Sequence, residues 1–343
     1  MFNRLMTLLA LLKGYGFKQT SSILLTKVTG INTLIYISGN LWTKIDKSNL
    51  SNTISLLLYL HKLRGQYILQ DRKIIIFVPS YKKIINIDKF TVKDLDELHV
   101  LTLAHRFNIE VKTLDDKHLL SINKCENLKF IIRRDSILSD ILGAPLLFYD
   151  EPQEYEWFNN ILKPGDIFID VGAYIGGYSA RACKRKVKVY SIEPDKENYS
   201  LLLRNLEINQ CTDYHVYRCA AHSEDGELQL YDFGSPDTYS TIIMKGRDGI
   251  PCGSIKDYIT SRRIDTLLSD VGNIKLLKID VEGAELSVLK GAKEVLKKTQ
   301  YIMIEVWPHT RNEILKLLKM SDFKLLSSRK YVPPTINMLF VHK

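Results

Sequence analysis

The most constraining stretch of the chain, residues 167–193, combines two apolar segments with a glycine turn. The first segment suits a strand buried on both faces, and Gly172 and Gly176 follow where the chain must turn sharply into a helix. The second segment, 187–192, ends in Glu193, at the distance from the turn where a carboxylate can accept hydrogen bonds from ribose hydroxyls. The stretch predicts a βαβ unit with a nucleoside site beyond its strand ends.

The glycine spacing separates two classes of nucleoside cofactor. A dinucleotide fingerprint, G-x-G-x-x-G, needs a middle glycine so that the backbone can approach a diphosphate. Here the three positions are Gly172, Tyr174 and Gly177, so a bulky side chain stands in the middle. The looser pattern D-x-G-x-x-x-G, present at Asp170, Gly172 and Gly176, favours S-adenosylmethionine, which carries no phosphate.

A second motif lies at residues 277–285, which read Leu-Lys-Ile-Asp-Val-Glu-Gly-Ala-Glu, followed by Val-Leu-Lys-Gly-Ala at 288–292. Together with the glycine turn and Ile-Glu-Pro at 192–194, these motifs resemble the FkbM family of S-adenosylmethionine-dependent methyltransferases. The resemblance covers roughly residues 150 to 343. One residue departs from the family pattern, because Tyr174 stands where the family usually has Asn.

The resemblance implies an O-methyltransferase that acts on a hydroxyl of a sugar, glycolipid or secondary metabolite, with S-adenosyl-L-methionine as cofactor. The predicted cofactor contacts fall into three groups along the first three strands. They are Asp170, Gly172, Ala173, Tyr174 and Gly176 at the methionine part, Glu193 at the ribose, and Ala220, Ala221 and His222 at the adenine edge.

Candidate catalytic residues follow the later strands, because ligands in open sheets lie beyond the carboxyl ends of strands. Asp280 and Glu282 could accept the proton of an acceptor hydroxyl or bind it, although either could instead cap the helix that begins near Ala284. Lys278 shares a strand face with Asp280, so we expect an ion pair with Asp280 or Glu305.

Two further residues complete the predicted catalytic set. Glu305 ends the apolar segment 301–305 in the same crevice, and His309 lies just beyond it. A histidine can act as a neutral base near pH 7, although family members often carry His where this chain has Trp307. We predict no metal site, since no oxygen cluster has the spacing of metal ligands.

The order of segments, which includes an expected strand over 214–219 and an expected helix over 284–298, predicts the fold class α/β. We expect a doubly wound, mostly parallel, seven-stranded class I methyltransferase (Rossmann-like) sheet over residues 146–343, closed by an antiparallel terminal hairpin. Residues 1–145 are predicted to form an N-terminal α+β extension of unknown role. Its predicted elements are helices over 51–63 and 91–105 and strands over 67–70 and 73–78.

Charge is distributed unevenly between the two parts. Residues 1–150 hold 21 Lys and Arg against 13 Asp and Glu, whereas residues 151–343 hold 27 against 26. The excess could mark contact with an anionic surface or nucleic acid, or a solvated face. An RNA or other nucleic-acid methyltransferase therefore remains an alternative, although amino-directed enzymes usually carry Asn/Asp-Pro-Pro-Tyr/Phe where this chain has 280–283. The departure at Tyr174 leaves a third alternative, a non-catalytic cofactor-binding interaction protein.

Cysteine content and hydropathy bear on the compartment. The five cysteines are odd in number and lack C-x-x-C spacing, which fits a reduced, cytoplasmic protein without structural zinc. The apolar run near the N-terminus is far shorter than the ~20 residues that span a bilayer, and no signal cleavage site follows it. We expect a core helix there and no transmembrane segment.

Overall fold

The computed structural model describes residues 106–232, 255–330 and 335–343, residues 100, 101, 103 and 104, and strand backbone at 33–37, 41–45, 67–70, 73–78, 81–86 and 240–241. The chain divides into two compact units, Met1–Arg106 and Phe107–Lys343. Residues 107–145 thus cluster with the C-terminal part of the chain, and the predicted domain division after residue 145 stays a prediction.

The first unit contains five described strands. Strands β1 (Thr33–Ile37) and β2 (Leu41–Ile45) form an antiparallel pair, and β3 (Tyr67–Gln70), β4 (Lys73–Val78) and β5 (Tyr81–Asn86) form an antiparallel meander. The strands predicted over 67–70 and 73–78 are confirmed. The N-terminal apolar run and the helix predicted over 51–63 lie outside the described residues, as does most of the helix predicted over 91–105.

The second unit opens with an antiparallel meander and three helices. These are β6 (Ile109–Thr113), β7 (His118–Asn123), β8 (Leu128–Arg133), α1 (Ile137–Gly143), α2 (Leu147–Asp150) and α3 (Pro152–Ile161). Two asparagine side chains accept hydrogen bonds from backbone N–H groups of β8 that a neighbouring strand would otherwise accept. Asn205 Oδ1 accepts from Ile131 N at 2.6 Å, and Asn209 Oδ1 accepts from Lys129 N at 2.9 Å. These bonds satisfy an otherwise open strand edge.

Eleven more strands are described in this unit. In chain order they are β9 (Ile167–Val171), β10 (Lys188–Ile192), β11 (Tyr214–Tyr217), β12 (Ala220–Ala221), β13 (Gly226–Asp232), β14 (Ser240–Thr241), β15 (Ile255–Arg262), β16 (Ile274–Ile279), β17 (Thr299–Val306), β18 (Phe323–Lys330) and β19 (Ile336–His342). Strands β12 to β15 form a small sheet in the order β12-β15-β13-β14.

The other seven strands form the main sheet, in the order β11-β10-β9-β16-β17-β19-β18. The first five are parallel, and β19 runs antiparallel to both of its neighbours. This order confirms the predicted doubly wound, mostly parallel sheet with an antiparallel terminal hairpin. The strand order reverses between β9 and β16, which is where open α/β sheets form their ligand crevice.

Both faces of the main sheet are buried, which explains why its strands read as nearly continuous apolar runs. The covering helices are α3 together with α4 (Gly177–Lys184), α5 (Lys196–Ile208), α6 (Ile264–Leu267), α7 (Glu285–Lys290), α8 (Lys293–Lys297) and α9 (Arg311–Met320). Side chains alternate between two apolar clusters: Phe168, Leu276 and Met303 pack with Phe158 and Tyr178, and Ile169, Leu277 and Ile302 pack with Val288 and Leu318.

Two elements differ from the sequence-based expectation. The helix expected over 284–298 is two helices, α7 and α8, which meet at Gly291. A Cβ at Gly291 would lie 2.0 Å from the carbonyl oxygen of His222, so only glycine allows this approach. The strand expected over 214–219 ends at Tyr217, and Ala220–Ala221 joins the small sheet instead.

The sequence predicted that all five cysteines are reduced, and this prediction is wrong for Cys183 and Cys211. Cys183 at the end of α4 and Cys211 after α5 form a disulfide, with their Cα atoms 5.7 Å apart. Cys125 and Cys219 carry free thiols, and Cys252 lies outside the described residues. Within the described ranges no helix is long and apolar enough to cross a bilayer, and no cluster of three His, Cys, Asp or Glu side chains could hold a metal ion.

Candidate active site

The glycine turn brings two strand ends into direct contact. Gly172 follows β9 with φ +78°, and a Cβ at this position would lie 1.7 Å from the carbonyl oxygen of Asp280, the residue after β16. Only glycine combines this φ with this approach at low cost. The turn therefore fixes the first and fourth parallel strands of the chain side by side at the crevice.

Asp170 lies at the carboxyl end of β9 and is almost fully buried. Its Oδ2 accepts a hydrogen bond from Ser179 Oγ at 2.6 Å, and its Oδ1 lies 3.9 Å from Lys278 Nζ and has no hydrogen-bond partner. Burial raises the pKa of Asp170, and the Lys278 charge opposes that shift. Asp170 thus orders the first turn of α4 and also offers an acceptor atom.

Glu193 follows β10 and is 5% exposed. Its Oε2 accepts from the Tyr174 N–H at 2.9 Å, and its Oε1 accepts from the Asp195 N–H at 3.0 Å and from Asn198 Nδ2 at 3.4 Å. Burial raises the pKa of Glu193 to about 8 despite these donors. A carboxylate has about four acceptor positions, so Glu193 can still accept from a ligand hydroxyl.

Tyr174 adopts a left-handed backbone, with φ 52°. Its hydroxyl donates to Asp140 Oδ1 and accepts from Arg133 Nη2 at 3.1 Å, while Arg133 and Asp140 form a buried ion pair. The ring also packs where a side chain at Gly143 would stand. Tyr174 is therefore anchored to β8 and α1, which precede the methyltransferase domain predicted over residues 146–343.

Lys278 is paired in register with Asp170, so both side chains lie on the same sheet face. Its Nζ donates to Asp280 Oδ2 at 3.1 Å and lies 5.2 Å from the centre of the Tyr178 ring. Burial disfavours the ammonium, but Asp280, Asp170 and Glu151 together raise its pKa above the usual range. The predicted pairing of Lys278 with Asp280 is confirmed.

The turn after β16 is tight and is held by one carboxylate. Glu282 and Gly283 both have positive φ, 54° and 105°. The short helix α7 begins after Ala284, which has no capping side chain, and Glu285 Oε1 accepts from the Gly283 N–H at 2.8 Å. Glu285 therefore holds the turn, and the alternatives of catalysis or helix capping for Asp280 and Glu282 stay predictions.

These residues surround one cavity of about 250 Å³ at the carboxyl ends of β9, β10, β16 and β17. Most of the predicted site residues line it. They are Asp170, Gly172, Ala173, Tyr174, Glu193, Ala220, Ala221, Asp280, Glu282 and Glu305.

Three predicted residues do not line the cavity. Gly176 serves the start of α4, and His222 lies at the end of β12, where its carbonyl oxygen meets Gly291. His309 is exposed on the connection that follows Trp307, which takes the buried position. The roles of all three residues stay predictions.

The structure adds cavity residues that the sequence did not reveal, namely Glu151, Glu154, Asn198 and Asn337. Glu151 and Glu154 belong to an acidic and aromatic segment whose composition was a usable signal. Asn337 is paired in register with Glu305 across β17 and β19. Asn198 lies one turn into α5, and its Oδ1 is buried without a hydrogen-bond partner.

The donors and acceptors of the cavity fit a nucleoside cofactor without phosphates. Glu193 and Asn198 Oδ1 offer hydrogen-bond acceptors of the kind that hydroxyl groups need, Asp170 Oδ1 is an acceptor beside the glycine turn, and Ala220 and Ala221 offer an apolar surface. Among the described lining residues Lys278 is the one basic side chain, and it is paired with acids. A diphosphate would find no matching cations here.

The sheet order and this cavity define a class I S-adenosylmethionine-dependent methyltransferase. Residues 170–325 match the methyltransferase FkbM domain. The protein is a methyltransferase whose residues 170–325 are similar to the FkbM domain, and S-adenosyl-L-methionine is its cofactor.

Three named relatives are similar to the chain. Methyltransferase sdnD of Sordaria araneosa is 27% identical over 212 residues, which is 52% of this chain and 82% of the relative. The 2-O-methyltransferase NoeI of Sinorhizobium fredii is 24% identical, over 42% of this chain and 64% of the relative. The hexuronic acid methyltransferase AglP of Haloferax volcanii is 25% identical, over 41% and 56%. The chain thus spans less than two thirds of the last two relatives.

Proposed function

We propose that the protein transfers a methyl group to a hydroxyl of a sugar, glycolipid or secondary metabolite. The observation that carries this proposal is the shared cavity, which is lined by Asp280 after β16, Glu305 in β17, the glycine turn and Glu193. Methylation of a hydroxyl needs an oriented acceptor and a group that takes its proton. The carboxylates after β16 and within β17 supply both.

The cofactor is proposed to lie across the carboxyl ends of β9, β10 and β12. Asp170, Gly172, Ala173, Tyr174 and Gly176 would hold its amino acid part, Glu193 and Asn198 its ribose, and Ala220, Ala221 and His222 its adenine edge. When bound, S-adenosylmethionine supplies an electrophilic methyl group.

Asp280 and Glu305 are the proposed proton acceptors, with Glu282 as a further ligand for the acceptor molecule. Lys278 donates to one oxygen of Asp280 and thereby fixes the orientation of the carboxylate toward the cavity. His309 is exposed outside the cavity, and its role as a base stays a prediction.

The name of one relative, a hexuronic acid methyltransferase, supports a sugar-type acceptor, and the name of another, a 2-O-methyltransferase, supports transfer to an oxygen atom. The test is transfer of tritiated methyl from the cofactor to lipid, glycan and RNA fractions of a cell extract. We expect label in a glycan, lipid or small-molecule fraction, and the Asp280→Asn variant to reduce it strongly.

The alternatives give different results in the same experiment. Label confined to RNA, with binding that weakens steeply as salt increases, would favour a nucleic-acid methyltransferase. Cofactor binding without label in any fraction would favour a non-catalytic binding protein. The predicted contact with anionic surfaces rests on the basic residues before 150, many of them outside the described ranges, and stays a prediction.

A further inference from the structure

One face of the main sheet carries the apolar cluster of Phe168, Leu276 and Met303, which packs against α2 and α3. Side chains two residues apart lie on the same face of a strand. The next positions toward the carboxyl ends are therefore Asp170, Lys278 and Glu305, and they face the same side of the sheet. This side of the cavity is covered by the junction of α2 and α3, residues 150–154, which we call the corner.

That corner contributes two glutamates to the cavity lining. Glu151 lies between the two helices, and its Oε2 accepts a hydrogen bond from the Tyr178 hydroxyl. Glu154 is 2% exposed, and its Oε2 pairs with Arg329 Nη1 at 3.1 Å. The Glu154 Oε1 atom is buried and has no hydrogen-bond partner. A buried acceptor without a donor is costly, and a ligand hydroxyl would satisfy it.

The charge of the lining is strongly one-sided. Among the described residues it holds eight carboxylic acids, Asp150, Glu151, Glu154, Asp170, Glu193, Asp280, Glu282 and Glu305, against Lys278 as the one basic residue. The Lys278 ammonium is already shared between Asp280 and Asp170. A ligand carboxylate or phosphate would find hydrogen-bond acceptors and like charges, whereas ring hydroxyls would find partners.

We infer that the corner formed by α2 and α3, through Glu151 and Glu154, is the acceptor subsite and that it takes a polyhydroxylated acceptor without an anionic group. This inference rests on the proposed function and narrows its substrate class. It distinguishes the chain from a relative that is named for hexuronic acid, 25% identical to it.

The ionisation of Glu151 agrees with this selectivity. Burial raises its pKa to about 8, and Asp280 and Asp150 contribute to the shift, while Lys278 and the Tyr178 hydroxyl oppose it. The corner thus already resists one further negative charge at neutral pH. An anionic acceptor would meet the same burial and the same carboxylates.

The test uses the full chain with a panel of methyl hexosides, each paired with its methyl hexuronide. Transfer of tritiated methyl is measured at pH 9, above the pKa of about 8 of Glu151. We expect kcat/KM to favour the neutral glycosides by about tenfold or more, as one like-charge contact in a partly buried site implies. Glu151→Gln and Glu154→Gln should each narrow this preference. Glu156→Gln, which changes an exposed residue of the same helix α3, should leave it unchanged.

Binding gives a second readout in case Glu154→Gln folds poorly after losing its partner Arg329. Saturation-transfer NMR with S-adenosylhomocysteine present should show neutral glycosides bound and uronides unbound. Equal or better use of uronides would overturn the inference, as would cofactor binding with no neutral glycoside bound. Failure to bind the cofactor would instead count against the proposed function, so the two failures are distinguishable.

Discussion

The proposed contact between Glu193 and the ribose predicts that cofactor binding depends on pH. Its pKa of about 8 in the free protein means that only about a tenth of the molecules hold an ionised Glu193 at pH 7. Ribose hydroxyls donate to the ionised form, so binding selects it and releases a proton. We expect about 0.9 protons released per complex at pH 7, and affinity that rises about tenfold, or about 1.4 kcal/mol, between pH 7 and pH 9.

The sign follows from the direction of the shift. Because the pKa of Glu193 is raised in the free protein, the affinity for the cofactor should increase as pH rises through 8 and become constant at higher pH. Titration calorimetry with S-adenosylhomocysteine, repeated in buffers of different ionisation enthalpy, measures both the affinity and the released protons.

Two variants assign the effect to one residue. Glu193→Gln should bind more weakly, without proton release and with a flat pH profile. Glu285→Gln removes a carboxyl whose pKa burial also raises to about 8, but Glu285 does not line the cavity, so its profile should match the unmodified protein. Affinity that falls as pH rises, or wild-type binding without proton release, would refute the assignment of Glu193 to the ribose.

Three further predictions concern stability and are measured by urea unfolding. Tyr174→Phe removes the hydroxyl shared by Arg133 and Asp140 and should lower the free energy of unfolding by about 1–3 kcal/mol; an unchanged midpoint would contradict the anchoring role. Gly172→Ala should cost more than about 2 kcal/mol, because its Cβ would lie 1.7 Å from a backbone carbonyl oxygen, and normal stability would mean that the strand ends are not in contact. Replacing Cys183 and Cys211 by serine should cost about 3.6 kcal/mol, given the 28-residue separation, and dithiothreitol should have the same effect on the unmodified protein but none on the variant.

Much of the fold could be predicted from local patterns. The apolar segments at β9, β10, β16 and β17, separated by helical periodicity and turns, determined a parallel α/β sheet. Strand periodicity also predicted that Lys278 and Asp280 share a face, and the structure joins them at 3.1 Å. The break of the helix at Gly291 could not be predicted, because its cause is the carbonyl of His222, about seventy residues earlier in the chain.

The site divides in the same way. Sequence alone determined the glycine turn, Glu193 at a strand end and the acids after β16, because strand period, turn sterics and strand-end geometry act within a few residues. Only the tertiary structure decided that Glu151 and Glu154 roof the cavity, that Tyr174 is anchored to Arg133 and Asp140, and that His309 lies outside. These outcomes depend on which helix covers which sheet face, and that packing joins residues far apart in the chain.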